Sequence, residues 1–216
     1  MKNDELIAEF IGMMLGDGNF GIYLSKAGNK IKKQHRIKIT LDSRNKQYVN
    51  YTENMFKKVL NVEPRVYYKN GKNYKRKENA VDIATFRKDS FFYLLNDIGL
   101  ITSPKWGRMK IPEGYNKGKL GLFVLKGLFD TDGCVTIYKN NGIVYPRIEI
   151  RLSPCPAQEQ INHILDEFEF NYKVQNLERG KTKIRLSGKK ELEKWFKLVG
   201  SASSVNIDRA KQFMRR

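Results

Sequence analysis

Two apolar stretches of this 216-residue chain close on the same pattern. Gly12 is followed by Asp17-Gly18 and Gly127 by Asp132-Gly133, a Gly-x-x-x-x-Asp-Gly spacing that returns after 115 residues. These are the two Asp-Gly dipeptides of the chain. Before Gly18, the set Leu6, Ile7, Phe10, Ile11, Met13, Met14 and Leu15 is too wide for a one-sided surface helix, so a buried helix is expected over 5–16. The run 120–131 has the same character. A glycine in mid-helix costs about 1 kcal/mol against alanine. Close helix–helix approach would explain that cost at both Gly12 and Gly127. If the two helices pack through these glycines, their C-terminal ends meet, and Asp17 and Asp132 share a rim.

The duplication extends beyond the helices. After each Asp-Gly the period changes to two, with Phe20, Ile22 and Leu24 on one face and later Val135 and Ile137. Ile37-Lys38-Ile39-Thr40-Leu41 returns as Ile148-Glu149-Ile150-Arg151-Leu152 after 111 residues. Ile83, Lys88, Ile98 and Gly99 return as Ile184, Lys189, Val199 and Gly200 after 101 residues. The shrinking offsets imply shorter loops in the second half with element order kept. Helices are expected near 44–60, 89–98 and 157–168, with a final pair near 189–199 and 206–213. Short strands are expected near 65–69 and 80–86, around a basic turn at Asn70-Gly71, and near 172–177 and 181–187. The fold class is therefore α+β: two αββαββα halves, residues 1–99 and 119–216, joined by a Pro- and Gly-rich linker over 100–118. The chain is thus a duplicated half-domain.

Charge narrows the partner. Lys and Arg number 41 against 23 Asp and Glu, a net charge of +18, which points to a polyanion and favours nucleic acid. No apolar run approaches the ~18 residues of a membrane span, and the N-terminus lacks a signal-peptide pattern. An intracellular location (cytoplasm, nucleoid or organelle matrix) is expected, without secretion or a membrane partner. Two cysteines, Cys134 and Cys155, are too few for a disulfide framework or a four-thiolate zinc site. Two histidines, His35 and His163, argue against nucleases built on imidazole clusters. Gly21-Ile22-Tyr23 lacks the Tyr-Ile-Gly partner that a GIY-YIG nuclease would need.

Two carboxylates at one rim repel, and each also feels the negative end of its own helix. A hard divalent cation with oxygen ligands relieves both terms. Substrate phosphates would complete its shell, as in metal-assisted phosphodiester hydrolysis.

The segments Phe10-Ile11-Gly12-Met13-Met14-Leu15-Gly16-Asp17-Gly18 and Leu125-Lys126-Gly127-Leu128-Phe129-Asp130-Thr131-Asp132-Gly133 resemble the two motifs of single-chain LAGLIDADG homing endonucleases. The second is the closer match, and the similarity covers nearly the whole chain. The resemblance implies that Asp17 and Asp132 bind metal and catalyse, with the carbonyls of Gly16 and Thr131 as further ligands. Leu15 replaces the frequent acid of position six, which Asp130 keeps. Mg²⁺ is the implied cofactor, with Mn²⁺ as a substitute and Ca²⁺ supporting binding only. Also implied are basic residues beside the scissile phosphate, for which the repeat nominates Lys88 and Lys189 as catalytic, with the adjacent Arg87 and Lys190 as alternatives. Leu41 and Leu152 stand where a glutamine is common on the second strand.

The resemblance also implies a pseudo-twofold monomer, with two antiparallel β-sheets as saddles over the major groove and the two motif helices packed centrally above the minor groove. The implied substrate is double-stranded DNA, cut with a stagger at a long asymmetric site. Opposite the apolar stripes, the strand pattern independently offers Arg36, Lys38, Thr40, Arg65, Tyr67 and Lys69 in the first half. Tyr145, Arg147, Glu149, Arg151, Lys181, Lys183 and Arg185 do so in the second. Such residues read base edges and phosphates together, and Glu149 could accept from cytosine. The alternative is an RNA maturase that assists intron splicing, with intron RNA as partner, or a non-catalytic DNA-binding protein on the same fold.

Overall fold

The long apolar helices come first in each half. A computed structural model of the protein describes residues 2–28, 30–69 and 79–214, so the turn expected at Asn70-Gly71 lies outside the described residues. Helix α1 (Lys2–Leu15) leads directly into the hairpin β1 (Gly18–Ala27) and β2 (Lys30–Asp42). Helix α2 (Lys46–Leu60), β3 (Arg65–Tyr68), β4 (Ala80–Thr85) and α3 (Lys88–Phe92) follow, and a π-helical turn over Tyr93–Asp97 continues α3. The order then recurs as α4 (Gly118–Asp132), β5 (Gly133–Asn140), β6 (Ile143–Leu152), α5 (Ala157–Glu167), β7 (Tyr172–Asn176), β8 (Thr182–Ser187) and α6 (Lys189–Leu198). Helix α7 (Ser204–Met214) ends the series.

Each half builds a four-stranded antiparallel sheet, in the orders β1-β2-β4-β3 and β5-β6-β8-β7. Alternation decides which face is covered. Ile37, Ile39 and Leu41 on β2, Val81 and Ile83 on β4, Ile148, Ile150 and Leu152 on β6, and Ile184 and Leu186 on β8 are all buried. Helices pack on that face. Phe10 of α1 meets Phe56 of α2 edge-on, and Phe129 of α4 meets Trp195 of α6 in the same way. Burying each such ring contributes about 1.5–3 kcal/mol. The opposite faces keep their charged and polar residues.

The halves meet along α1 and α4. A Cβ on Gly12 would run into the Val124 carbonyl oxygen and lie 2.8 Å from Leu128 N, and one on Gly127 would strike the Glu9 carbonyl and lie 2.7 Å from Met13 N. The helices touch backbone to backbone, which is the physical reason that both positions lack a side chain. A buried polar cross-tie supports the seam. Glu9, 2% exposed, accepts from Tyr51 Oη at 2.7 Å and pairs with Lys126 Nζ at 2.9 Å. Asn45 caps α2 through Tyr48 N and also bonds Ser203 and Ser204 near the start of α7. Among the described residues no helix is long and apolar enough to cross a membrane.

Candidate active site and nucleic-acid interface

Because the motif helices end side by side, their last residues interlock. The space that a Gly16 Cβ would take is filled by Thr131, with Asp132 Oδ2 3.2 Å away. Thr131 Oγ1 donates back to the carbonyls of Gly127 (3.1 Å) and Leu128 (3.0 Å), so its hydroxyl closes α4. Asp17 and Asp132 are exposed at the rim, yet helix ends crowd them on the other sides. Burial, then the charge of Asp132, pushes Asp17 up to about 6, against the pull of Lys105. Burial also raises Asp132, again opposed by Lys105.

Lys105 is the residue that the sequence pattern does not reveal. It comes from the connector between the halves, and its Nζ donates to the carbonyls of Met14 (3.1 Å), Leu15 (2.7 Å) and Gly16. Those carbonyls are the unsatisfied last turn of α1, where a cation is also favoured by the helix dipole. Burial lowers the Lys105 ammonium below the ordinary lysine range, while Asp132 and Asp17 pull it back up. The signal was thin: Ser103-Pro104-Lys105-Trp106 places a cation and an aromatic ring in a stretch otherwise readable as a spacer.

The cleft beside this centre has a volume of about 540 Å³, and its lining includes Gly16, Lys105, Trp106, Asp132, Arg151 and Lys181. Arg151 and Lys181, expected on the nucleic-acid face, thus line the same cleft as Asp132. Trp106 is 54% exposed there.

The structure brings Lys105 of the connector to the carboxylates. Lys88 and Lys189 open helices α3 and α6, and the first turn directs each along its own helix. Lys88 Nζ sits 5.7 Å from the Phe92 ring centre, and Lys189 Nζ sits 3.6 Å from Glu193. Leu41 and Leu152 point into the core, at 6% and 3% exposure. Their neighbours Thr40 and Arg151 hold the outward positions on those strands.

On the outer face of the first sheet, Asp82 gathers the expected contacts. It accepts from Lys38 Nζ (2.9 Å) and Thr40 Oγ1 (2.7 Å), and pairs with Lys69 Nζ (3.1 Å). Burial alone would raise Asp82, but the bonds from Thr40, Lys38 and Lys69 hold it below the usual carboxylate value. Arg65 and Tyr67 are exposed on β3. In the second sheet Glu149 is only 4% exposed, accepts from Tyr138 Oη at 3.1 Å and faces Lys183 Nζ at 3.7 Å. It is therefore a covered counter-charge rather than an open acceptor for a base, because Tyr138 closes over it. Arg147 donates to Tyr145 Oη at 2.5 Å, and Arg185 bonds Gln175 on the adjacent strand.

Whether a divalent cation suits this centre follows from the donors. Among the described residues no three His, Cys, Asp or Glu side chains gather as a metal cage. What is present is an oxygen-only pair of mutually repelling carboxylates, which a hard cation relieves once phosphate oxygens join. Of the two carbonyls expected as ligands, that of Gly16 already receives the Lys105 ammonium.

Two motif-ended helices joined through glycines, each leading into a basic-faced antiparallel sheet, define a duplicated α+β architecture with two acids at its centre. A model of the LAGLIDADG DNA endonuclease family matches residues 8–195, and the chain belongs to that family. No curated protein matches the chain. Among solved structures, the I-LtrWI LAGLIDADG homing endonuclease bound to target DNA has a TM-score of 0.64 at 14% identity, covering 98% of this chain and 88% of that one. Mesophilic variants of the homing endonuclease I-DmoI give 0.61 at 17% identity, over 95% of this chain and 100% of theirs. I-DmoI in complex with DNA and Mn gives 0.61 at 16%, over 92% and 97%. At these identities the likeness establishes the shared fold.

Proposed function

We propose that this LAGLIDADG endonuclease makes a divalent-metal-dependent, staggered double-strand break in a long, asymmetric DNA target, acting as an intracellular monomer. The observation that carries the reading is the meeting of Asp17 and Asp132 at the interlocked ends of α1 and α4, with Lys105 coupled to both. Bound there, Mg²⁺ would neutralise charge and polarise the scissile phosphate as a Lewis acid. The residues that would hold it are Asp17 and Asp132, with the Thr131 carbonyl as the backbone ligand that the family resemblance implies. The structure of I-DmoI with DNA and Mn, and another of it with DNA and Ca, support divalent cations as companions of this fold on DNA.

The chain's own groups have distinct tasks in this reading. Asp17 and Asp132 hold negative charge where phosphate approaches, one acid serving each strand. Lys105 fixes the end of α1 and offsets the pair's repulsion before substrate arrives. Arg151 and Lys181 in the adjoining cleft hold the phosphate backbone in place. The outer sheet faces, with Arg36, Lys38, Thr40 and Lys69 on one and Arg147, Lys183 and Arg185 on the other, lie in the DNA groove and set the register.

Cleavage of a randomised duplex library in Mg²⁺ tests the proposal, with sequencing of cut ends. Wild type should yield a defined site with staggered ends. Asp17→Asn and Asp132→Asn should each lower double-strand cutting by at least about 10³-fold while binding in Ca²⁺ persists. Normal cutting by either variant would sink the assignment.

A further inference from the structure

The duplication has kept one contact on the two sheets and reversed another. Arg36 and Arg147 stand at the same place in the repeat, 111 residues apart. Arg36 lies opposite Gly21 in the β1–β2 ladder and Arg147 opposite Thr136 in the β5–β6 ladder. Each guanidinium rests on a tyrosine ring, Arg36 on Tyr23 at 3.8 Å and Arg147 on Tyr138 at 3.9 Å from the ring centre. Gly21 and Thr136, like Tyr23 and Tyr138, are separated by the 115 residues that separate the motifs. Both stacks have a further anchor: Arg36 Nε donates to Asn19 Oδ1 at 3.1 Å, and Arg147 Nη2 donates to Tyr145 Oη at 2.5 Å.

A guanidinium laid on an aromatic face has its plane fixed before any partner arrives, so less rotamer freedom is lost on recognition. Its planar fork matches O6 and N7 of guanine, the commonest base-specific contact in the major groove. The neighbouring charges on the same faces do the opposite. The pair Lys38–Asp82, at 2.9 Å, is replaced at the repeat-related positions by Glu149–Lys183, at 3.7 Å, with the signs exchanged between strands.

We infer that Arg36 and Arg147 read a dyad-related pair of guanines, one in each half-site, at equal distances from the centre and on opposite strands. The inference rests on the site-specific DNA-cutting reading above. The exchanged pairs beside them break the dyad, so the base pairs next to those of the two arginines differ between half-sites. The target is a partial palindrome whose symmetric positions are those of the two arginines.

Full-length protein in Ca²⁺ is mixed with a randomised duplex library, and the bound fraction is sequenced for wild type, Arg36→Lys and Arg147→Lys. Lysine keeps the charge and loses the fork. The wild-type pool should show guanine at two dyad-related positions. Arg36→Lys should lose that preference in one half only and Arg147→Lys in the other, each by about tenfold. The salt dependence of binding and the melting temperature should hold. 7-Deazaguanine at either position of the selected duplex should weaken wild-type binding on the same scale. A wild-type pool without the dyad pair overturns the inference. So does a lysine variant that keeps its guanine or relaxes both halves together. If no sequence is enriched at all, the site-specific reading itself falls, and this inference falls with it.

Discussion

The ends of α1 and α4 occupy equivalent places in the duplication and are closed by different chemistry. The carbonyls at the end of α1 are capped from outside, by Lys105 of the connector. The end of α4 is held differently: the Thr131 hydroxyl bonds two carbonyls of its own helix, and Asp130 accepts from the Ala202 amide at 2.7 Å and from the Ser201 hydroxyl, both in the connection before α7. Where α4 has Asp130, α1 has the buried Leu15. The backbone symmetry is enforced by glycines on both sides, while the cation caps one helix end only, although its charge is felt by both carboxylates. A duplicated fold keeps what the helix seam demands and lets the closure of each end diverge.

The shared part of the comparison should give the largest effect. Gly12→Val and Gly127→Val each force a side chain into the partner's backbone, and each should cost about 3 kcal/mol or more, read as a fall in urea midpoint. A large loss from one and none from the other would break the equivalence of the two glycines. The unshared part comes next. Lys105→Met should slow cleavage by about 10²-fold and let a nicked duplex accumulate, because only one helix end depends on this cation. Equal slowing of both strands would show that the asymmetry does not reach the chemistry.

The carboxylates themselves should respond in the opposite direction in stability. Asp17, raised to about 6, binds more protons folded than unfolded, so its ionisation disfavours the fold as pH rises from about 4 to above 6. Asp17→Asn should therefore stabilise the metal-free protein at pH 7.5, by about 1 kcal/mol after allowing for solvent screening, and by little at pH 4. Thermal melts at the two pH values decide it. The smallest effect belongs to Asp82, whose folded value is depressed. Its contribution is present above about pH 4 and fades as the pH falls through the depressed value, a few tenths of a kcal/mol for a partly covered surface pair. Asp82→Asn should flatten that acid limb.

Much of the architecture was readable because local periodicity and the two glycine motifs act over short spans. Alternation placed Ile37, Ile39, Ile148 and Ile150 on the covered faces, and the same alternation put Arg36 and Arg147 outside. Lys105 was not readable, since its partners lie about ninety residues away in sequence and nothing in its own neighbourhood requires a helix end. Glu149 shows the limit of alternation: it faces outward by period, yet Tyr138 from the adjacent strand covers it. Lys88 and Lys189, nominated by the repeat, do stand at equivalent places, each opening its helix.

The clasp of Lys105 on α1 bears on how such a chain can be recombined. A chimera that joined this first half to a foreign second half through a foreign linker would retain a complete sheet and a motif acid on each side. It would lose the cation that caps α1 and offsets the repulsion between the acids. The exchangeable unit is thus the first half together with the connector through Trp106, and a working junction lies downstream of it, before α4 begins at Gly118.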